Sequence, residues 1–205
     1  MTSSGLLVRL EAKPGKDAEV EAFLHTAVPM VRQQADTTAW FAVRFGRSEY
    51  GIFDVFPDEA SRAAHLAGPV SRALMDKVGS LLTEPPRIQL LEVLADKLPI
   101  SSEGKTDTKA LLLTFKAKAG HEEDVEEFLR GAQEIVGVEP ATTAWFAIRL
   151  DDGEYGIFDV FPDNSGRFAH LTGHVPRELA KQSLTLLGSI PDLNMLNVLE
   201  EELAS

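Results

Sequence analysis

Residues 37–58 read TTAWFAVRFGRSEYGIFDVFPD, and residues 142–163 read TTAWFAIRLDDGEYGIFDVFPD. The match continues on both sides, because 5–97 aligns with 110–202 without insertion or deletion. Self-similarity on this scale indicates a duplicated domain, which has to be recognised before any local pattern is interpreted. We therefore predict a first repeat over 1–97, a polar linker over 98–108 and a second repeat over 109–205.

Composition narrows the class of protein. The 205 residues are 44% hydrophobic and 25% charged, which is usual for a globular protein. No apolar run is long enough to cross a membrane, and the N-terminus does not resemble a signal peptide, so we expect no membrane partner. The chain has no cysteine, which excludes disulfides and thiolate catalysis and fits a cytoplasmic location. A net charge of −12 makes nucleic acid an unfavourable partner, because phosphate backbones are also negative.

Both repeats have the same order of predicted elements. In the first repeat these are a strand over 5–13, a helix over 16–34, a hairpin from 38–45 and 50–56, helices from 58 and over 70–82, and a strand over 87–95. In the second they are a strand over 110–118, a helix over 121–137, a hairpin over 142–161, helices over 163–172 and 175–188, and a strand over 191–200. The order βαββαβ is that of a ferredoxin-like domain. Pro29 is expected to kink or interrupt its helix, and Glu200 to Glu202 are expected to form a solvated charge run.

The apolar residues on both faces of the hairpin predict how the two repeats pack. If Phe45 pairs with Tyr50, Trp40 and Arg44 share one face of the sheet, while Tyr50 and Asp54 share the other. Both faces are then largely apolar, so each sheet should be covered on both sides. Packing one sheet against the other, with the helices outside, gives a pseudo-dimer within one chain. The predicted fold class is α+β, with two ferredoxin-like repeats packed sheet to sheet.

Three segments of the first repeat carry a resemblance to a known family: LEAKPGKDAEVEAFL, FDVFPDEASRAAHL and LLTEPPRIQLLEVL. With their counterparts in the second repeat, they resemble the antibiotic biosynthesis monooxygenase-like domains of the dimeric α+β barrel superfamily. The resemblance implies an intrachain barrel, further self-association, and oxidation of a small phenolic or quinol-type aromatic by O₂ without a cofactor. Haem-degrading relatives need an axial histidine where this chain has Met75 and Ala180, so haem is not expected.

The repeated histidines are the candidate catalytic residues. His65 and His170 occupy equal positions after the hairpin, where resembling domains commonly carry a histidine beside a cavity. A neutral histidine can act there as a general base or hydrogen-bond donor to a phenol. The alternative is a histidine that caps or packs locally. Asp54 and Asp159 stand among apolar residues, and each is either hydrogen-bonded for structure or is a base with a raised pKa.

The remaining candidate substrate-binding residues are also paired between repeats: Trp40 and Trp145, Arg44 and Arg149, Tyr50 and Tyr155. The tryptophans either form a pocket wall or belong to the core. The arginines either bind an anionic substrate or pair with glutamates, and the tyrosines either offer a hydroxyl to a ligand or pack at the rim. No metal site is predicted, because Gly173 interrupts the HLTGH segment and Pro69 replaces its second histidine in the first repeat.

Two functions from different classes fit these features. The first is a cofactor-independent monooxygenase in which the histidines transfer protons. The second is a non-enzymatic small-molecule binding or stress-related protein whose barrel is structural. Open cavities beside the histidines would favour the first, whereas cavities filled by Phe23, Phe41 and Phe56 would favour the second.

Overall fold

The computed structural model describes residues 2–98, 107–151 and 153–204. Most of the predicted linker, residues 99–106, lies outside the described residues. The strands are β1 (Ser4–Glu11), β2 (Ala39–Gly46), β3 (Glu49–Phe56), β4 (Arg87–Lys97), β5 (Lys109–Lys116), β6 (Ala144–Asp151), β7 (Glu154–Phe161) and β8 (Asp192–Leu203). The helices are α1 (Asp17–Arg32), α2 (Glu59–Leu66), α3 (Pro69–Leu81), α4 (Glu122–Gly137), α5 (Asn164–Leu171) and α6 (His174–Leu186).

Hydrogen bonding joins the eight strands in the closed order β1-β3-β2-β8-β5-β7-β6-β4. The predicted α+β class, a barrel built from two βαββαβ repeats, is therefore confirmed. The long helices form where apolar residues recur at helical spacing: in α1 the buried side chains are Val20, Phe23, Leu24, Ala27 and Val31. In α4 they are Val125, Leu129, Ala132 and Val136.

Two local expectations are corrected. Pro29 does not interrupt α1, which continues to Arg32. The run from Glu200 to Glu202 is not a solvated tail, because β8 extends to Leu203 and pairs with β2. Side chains of α1 contact two of these glutamates: His25 Nδ1 lies 2.6 Å from Glu200 Oε1, and Arg32 Nη2 lies 2.8 Å from Glu202 Oε2.

The register of the first hairpin differs from the predicted one by one residue. Arg44, not Phe45, lies opposite Tyr50, because the ladder shifts between Arg44 and Gly46. An extra residue of this kind is a β-bulge, and it moves every preceding side chain to the other face. Trp40 therefore lies directly opposite Asp54. The two residues share one face of the sheet, whereas the prediction placed them on opposite faces.

The second hairpin has the same shift, between Arg149 and Asp151, and Trp145 lies opposite Asp159. The side chains of the bulged residues, Phe45 and Leu150, pack over Gly51 and Gly156 of the neighbouring strands. A Cβ at Gly51 would lie 2.6 Å from the ring of Phe45, and one at Gly156 would lie 3.2 Å from Leu150. Only a residue without a side chain leaves room for the bulged side chain to lie over the strand.

The chain forms two compact units, Met1–Leu91 with Asn197–Ser205, and Glu92–Leu196. The end of each repeat's last strand thus belongs to the other unit. In the first unit, α1 and α3 cover a core that contains Trp40, Tyr50 and Ile52. In the second, α4 and α6 cover the equivalent core, with Trp145, Tyr155 and Ile157. The repeat boundaries at 97 and 109 describe the duplication and stay a prediction.

Candidate functional site

The first repeat brings His65 onto Asp54. Asp58 caps α2 by accepting a hydrogen bond from the Ser61 amide at 2.8 Å, so the helix starts immediately after β3 and its last turn returns over that strand. His65 Nε2 lies 3.1 Å from Asp54 Oδ2, and both residues are buried. Burial raises the pKa of the Asp54 carboxyl, and the contact with His65 opposes that shift. Thr37 Oγ1 lies 3.3 Å from His65 Nδ1.

The second repeat repeats the arrangement with one added group. Asp163 caps α5 through the Gly166 amide at 2.9 Å, and His170 Nε2 lies 3.6 Å from Asp159 Oδ1. On the other side of the ring, His170 Nδ1 lies 2.8 Å from Glu139 Oε2 and 3.2 Å from Thr142 Oγ1. The imidazole therefore stands between two carboxylates, whereas His65 faces one.

Burial and the nearby Glu139 charge raise the pKa of the Asp159 carboxyl, which His170 opposes, to about 7. A carboxyl with this pKa gains and loses its proton near neutral pH, as a general base must. Asp159 Oδ1 is buried, and no hydrogen-bond partner for it exists among the described residues. The same is true of Asp54 Oδ1 and of the indole nitrogens of Trp40 and Trp145. Each repeat thus carries an unused donor and an unused acceptor on directly opposite residues of its hairpin.

A cavity of about 350 Å³ adjoins the second His–Asp pair. Its polar lining includes Asp159, His170 and Ser183, and the remaining walls are mainly apolar. The apolar lining residues are Leu111, Leu113, Ile157, Leu171, Val175, Pro176, Leu179, Ala180, Leu187, Pro191 and Leu193. An apolar cavity with a few convergent polar groups is the usual form of a small-molecule site.

The predicted arginines and tyrosines form a different cluster, at the far end of each hairpin. Arg44 Nη1 lies 3.0 Å from Glu21 Oε1, and the Tyr50 hydroxyl lies 3.0 Å from the same oxygen and 3.1 Å from Asp17 Oδ1. Burial and Glu21 raise the pKa of the Tyr50 hydroxyl, so it stays protonated. This cluster joins the hairpin to α1.

The second repeat has an equivalent cluster, in which Glu92 rather than an aspartate supplies the second carboxylate. Arg149 Nη1 lies 3.1 Å from Glu126 Oε1, and Arg149 also pairs with Glu92. The Tyr155 hydroxyl lies 3.3 Å from Glu126 Oε1. The structure thus groups tryptophan, aspartate and histidine at one end of the hairpin and arginine with tyrosine at the other.

The chain matches no protein-family model and no curated protein. Solved structures do match it. A provisionally assigned monooxygenase from Fusobacterium nucleatum superposes with a TM-score of 0.86 and 14% identity, over 98% of this chain and 94% of that one. An anthrone oxidase-like protein superposes with a TM-score of 0.64 and 13% identity, over 99% of this chain and 93% of that one.

A third match carries a family description. It is an uncharacterised ferredoxin-fold protein from Listeria monocytogenes, related to antibiotic biosynthesis monooxygenases. Its TM-score is 0.57 at 7% identity, over 97% of this chain and 95% of that one. This chain has the fold of the monooxygenase-related α+β barrels. The predicted resemblance is therefore confirmed for the fold. A fold does not determine a reaction, so the reaction has to be argued from the residues of the site.

Sequence reasoning missed several residues of the site. Thr37 and Thr142 belong to the repeated TTAWF segment, which was a usable signal. Glu139 was a weaker one: it is a point where the repeats differ, since Gln34 occupies the matching position. Within the described part of the chain, no group of three metal-binding side chains could hold an ion, and no helix is long and apolar enough to cross a membrane.

Proposed function

We propose that the protein is a cofactor-independent monooxygenase that oxidises a small phenolic or quinol-type aromatic with O₂, and that the cavity beside Asp159 and His170 holds the substrate. The observation that carries the proposal is this apolar cavity with a buried carboxyl and imidazole in its wall. The fold of provisionally assigned monooxygenases and of an anthrone oxidase-like protein supports the same class of reaction.

The first step is removal of the phenolic proton by the Asp159–His170 pair. Asp159 has a pKa of about 7, so a large fraction of the protein can accept a proton at neutral pH. A phenolate is a far better electron donor to O₂ than a phenol. The role of the protein is to hold the ionised substrate in a dry site and to position O₂ against its ring.

The overall reaction balances without an external reductant. A phenol plus O₂ gives a quinone plus water. One ring C–H bond, the phenolic O–H bond and the O–O bond break. The phenolic C–O bond becomes a C=O bond, a second C=O bond forms at the ring carbon that lost its hydrogen, and two O–H bonds form in the water. The substrate supplies all four electrons. One oxygen atom enters the quinone, and the other leaves as water with both hydrogens. Every proton transfer in this scheme can pass through Asp159 and His170.

Oxygen uptake by the purified protein over a panel of hydroquinones and polyphenols tests the proposal. We expect His170→Ala to lower the initial rate at least 100-fold, because general acid–base catalysis typically contributes a factor of about 10² to 10⁴. His121→Ala is the matched control: His121 is partly exposed, pairs with Asp124 at 2.7 Å and lies in the same repeat away from the cavity. Equal uptake by all three proteins would show autoxidation and remove His170 from the mechanism.

A second function, small-molecule binding without catalysis, is supported by the cluster of arginine and tyrosine. Arg44, Arg149, Tyr50 and Tyr155 are engaged with acidic residues of α1 and α4. Among the described residues that line the cavity there is then no arginine or lysine to stabilise an ionised substrate. Calorimetry with the same panel separates the two functions, because a binding protein gives a saturable heat without consuming O₂.

A further inference from the structure

We propose that the two repeats are unequal sites: Glu139 is a positioning residue that holds His170 through Nδ1 and leaves Nε2 and Asp159 available to a ligand, whereas His65 is held against Asp54 and is structural. This inference identifies which repeat carries the activity proposed above, and its test by oxygen uptake rests on that proposed function. The comparison between repeats is a built-in control, because the same fold surrounds both histidines.

In the first repeat the imidazole of His65 is held by the carboxylate of Asp54. His65 Nε2 and Asp54 Oδ2 are 3.1 Å apart, within hydrogen-bonding distance. Among the described residues, the hydrogen-bonding contact of Nδ1 is the neutral Thr37 hydroxyl, at 3.3 Å. Gln34 occupies the position of Glu139, but its Oε1 is buried without a partner in the same part of the chain. His65 therefore has no carboxylate contact on the Nδ1 side among these residues that would compete with Asp54.

In the second repeat the ring is held from the opposite side. An ionised carboxylate only accepts hydrogen bonds, so Glu139 at 2.8 Å requires the proton of a neutral His170 to be on Nδ1. Nε2 then carries the lone pair. Its distance of 3.6 Å from Asp159 Oδ1 is too long for a hydrogen bond. Both Nε2 and the Asp159 carboxyl therefore remain available to a ligand. Both line the cavity, where one hydroxyl could contact both.

A lysine of β4 anchors the loop that carries Glu139. Lys97 Nζ donates to the carbonyl of Val136 at 2.9 Å and to that of Glu139 at 2.7 Å. Burial lowers the pKa of the Lys97 ammonium, and the Glu139 charge opposes that shift. At the position matching Lys97 the second repeat has Glu202, which pairs with Arg32 of the first repeat. The Thr142 hydroxyl, at 2.9 Å, further orients the Glu139 carboxylate.

Two residues of the cavity wall are smaller than their counterparts in the first repeat. Ala180 and Ser183 line the cavity beside His170, and the matching positions of the first repeat hold the larger Met75 and Val78. At these two positions the second repeat combines smaller side chains with the imidazole whose Nε2 is available. Its ligand would be a small aromatic hydroxyl compound, with the hydroxyl at Asp159 and His170 and the ring against the apolar walls.

Nitrogen-15 NMR of the histidine rings tests the positioning role without any substrate. The protein is labelled at histidine, and His65→Asn and His170→Asn assign the two rings. We expect neutral His170 in the unmodified protein to be protonated at Nδ1, and Glu139→Gln to abolish that preference. The reciprocal Gln34→Glu should shift His65 towards the pattern of His170. A His170 ring protonated at Nε2, or one unchanged by Glu139→Gln, would overturn the proposal.

Oxygen uptake then tests which repeat works. We expect His65→Asn to retain at least half of the activity, His170→Asn to lose at least 99% of it, and Glu139→Gln to lower kcat about tenfold with little change in KM. If His65→Asn and His170→Asn each removed half of the activity, the sites would be equivalent and the proposal wrong. If the unmodified protein consumed no O₂, the proposed function would fail, and the NMR result would still decide the role of Glu139.

Discussion

Neutralising Asp159 should stabilise the protein at alkaline pH and inactivate it at the same time. The folded pKa of about 7 is raised from an ordinary value of 3.8 by burial. Each unit of pKa difference corresponds to about 1.4 kcal/mol, so the ionised carboxyl destabilises the folded state by about 4 kcal/mol. That is a large part of the roughly 5–15 kcal/mol by which domains are stable.

The direction of the pH dependence follows from proton binding. Between about pH 4 and pH 7 the folded state holds a proton on Asp159 that the unfolded chain has released. The free energy of unfolding therefore falls as the pH rises through this range, and it levels off above the folded pKa. Asp159→Asn removes this dependence. We expect its stability relative to the unmodified protein to increase by about 4 kcal/mol between pH 4 and pH 8.

Urea denaturation at a series of pH values measures the difference. Asp36→Asn, which removes an exposed carboxylate, serves as the control for the loss of one acidic side chain. An Asp159→Asn difference that stayed constant to within about 1 kcal/mol would refute a buried Asp159 carboxyl with a raised pKa. Oxygen uptake by the same variant should be lost, which would be a trade of stability for activity at one residue.

Three further substitutions test other parts of the structure. Ala180→Met, which places the first repeat's residue in the cavity, should lower kcat/KM at least tenfold while circular dichroism stays unchanged. Asp163→Ala removes the cap that binds the Gly166 amide at 2.9 Å and should destabilise the protein by about 1 kcal/mol in urea titration; no shift in the midpoint would contradict the capping role. Gly156→Ala would place its Cβ 2.7 Å from the Leu113 carbonyl oxygen and should destabilise the protein by about 1–3 kcal/mol. The control Gly131→Ala, in open space within α4, should be neutral or stabilising. Equal effects of the two substitutions would show that the hairpin tolerates a side chain at Gly156.

Local patterns in the sequence were sufficient for the element order. The repeated hairpin, the helical spacing of residues such as Val20 and Leu24, and the cap residue Asp58 each depend on neighbours within a few positions, so they could be interpreted without tertiary structure. The equal positions of His65 and His170 likewise pointed to the part of the chain where each histidine lies against a buried aspartate. Glu200 to Glu202 were misinterpreted because their strand partners and basic neighbours are about 160 or more positions away in sequence.

The make-up of the site depended on register and on long-range contact. A single bulged residue at Phe45 decides whether Asp54 shares a face with Trp40, and no local pattern marks where the ladder shifts. The helix that returns over the strand places His170 beside Asp159, and the loop after α4 brings Glu139 to the other ring nitrogen. Sequence alone thus determined the duplicated fold and its candidate residues. Only the tertiary structure decided which of them meet, because burial and side-chain contacts arise between residues far apart in the chain.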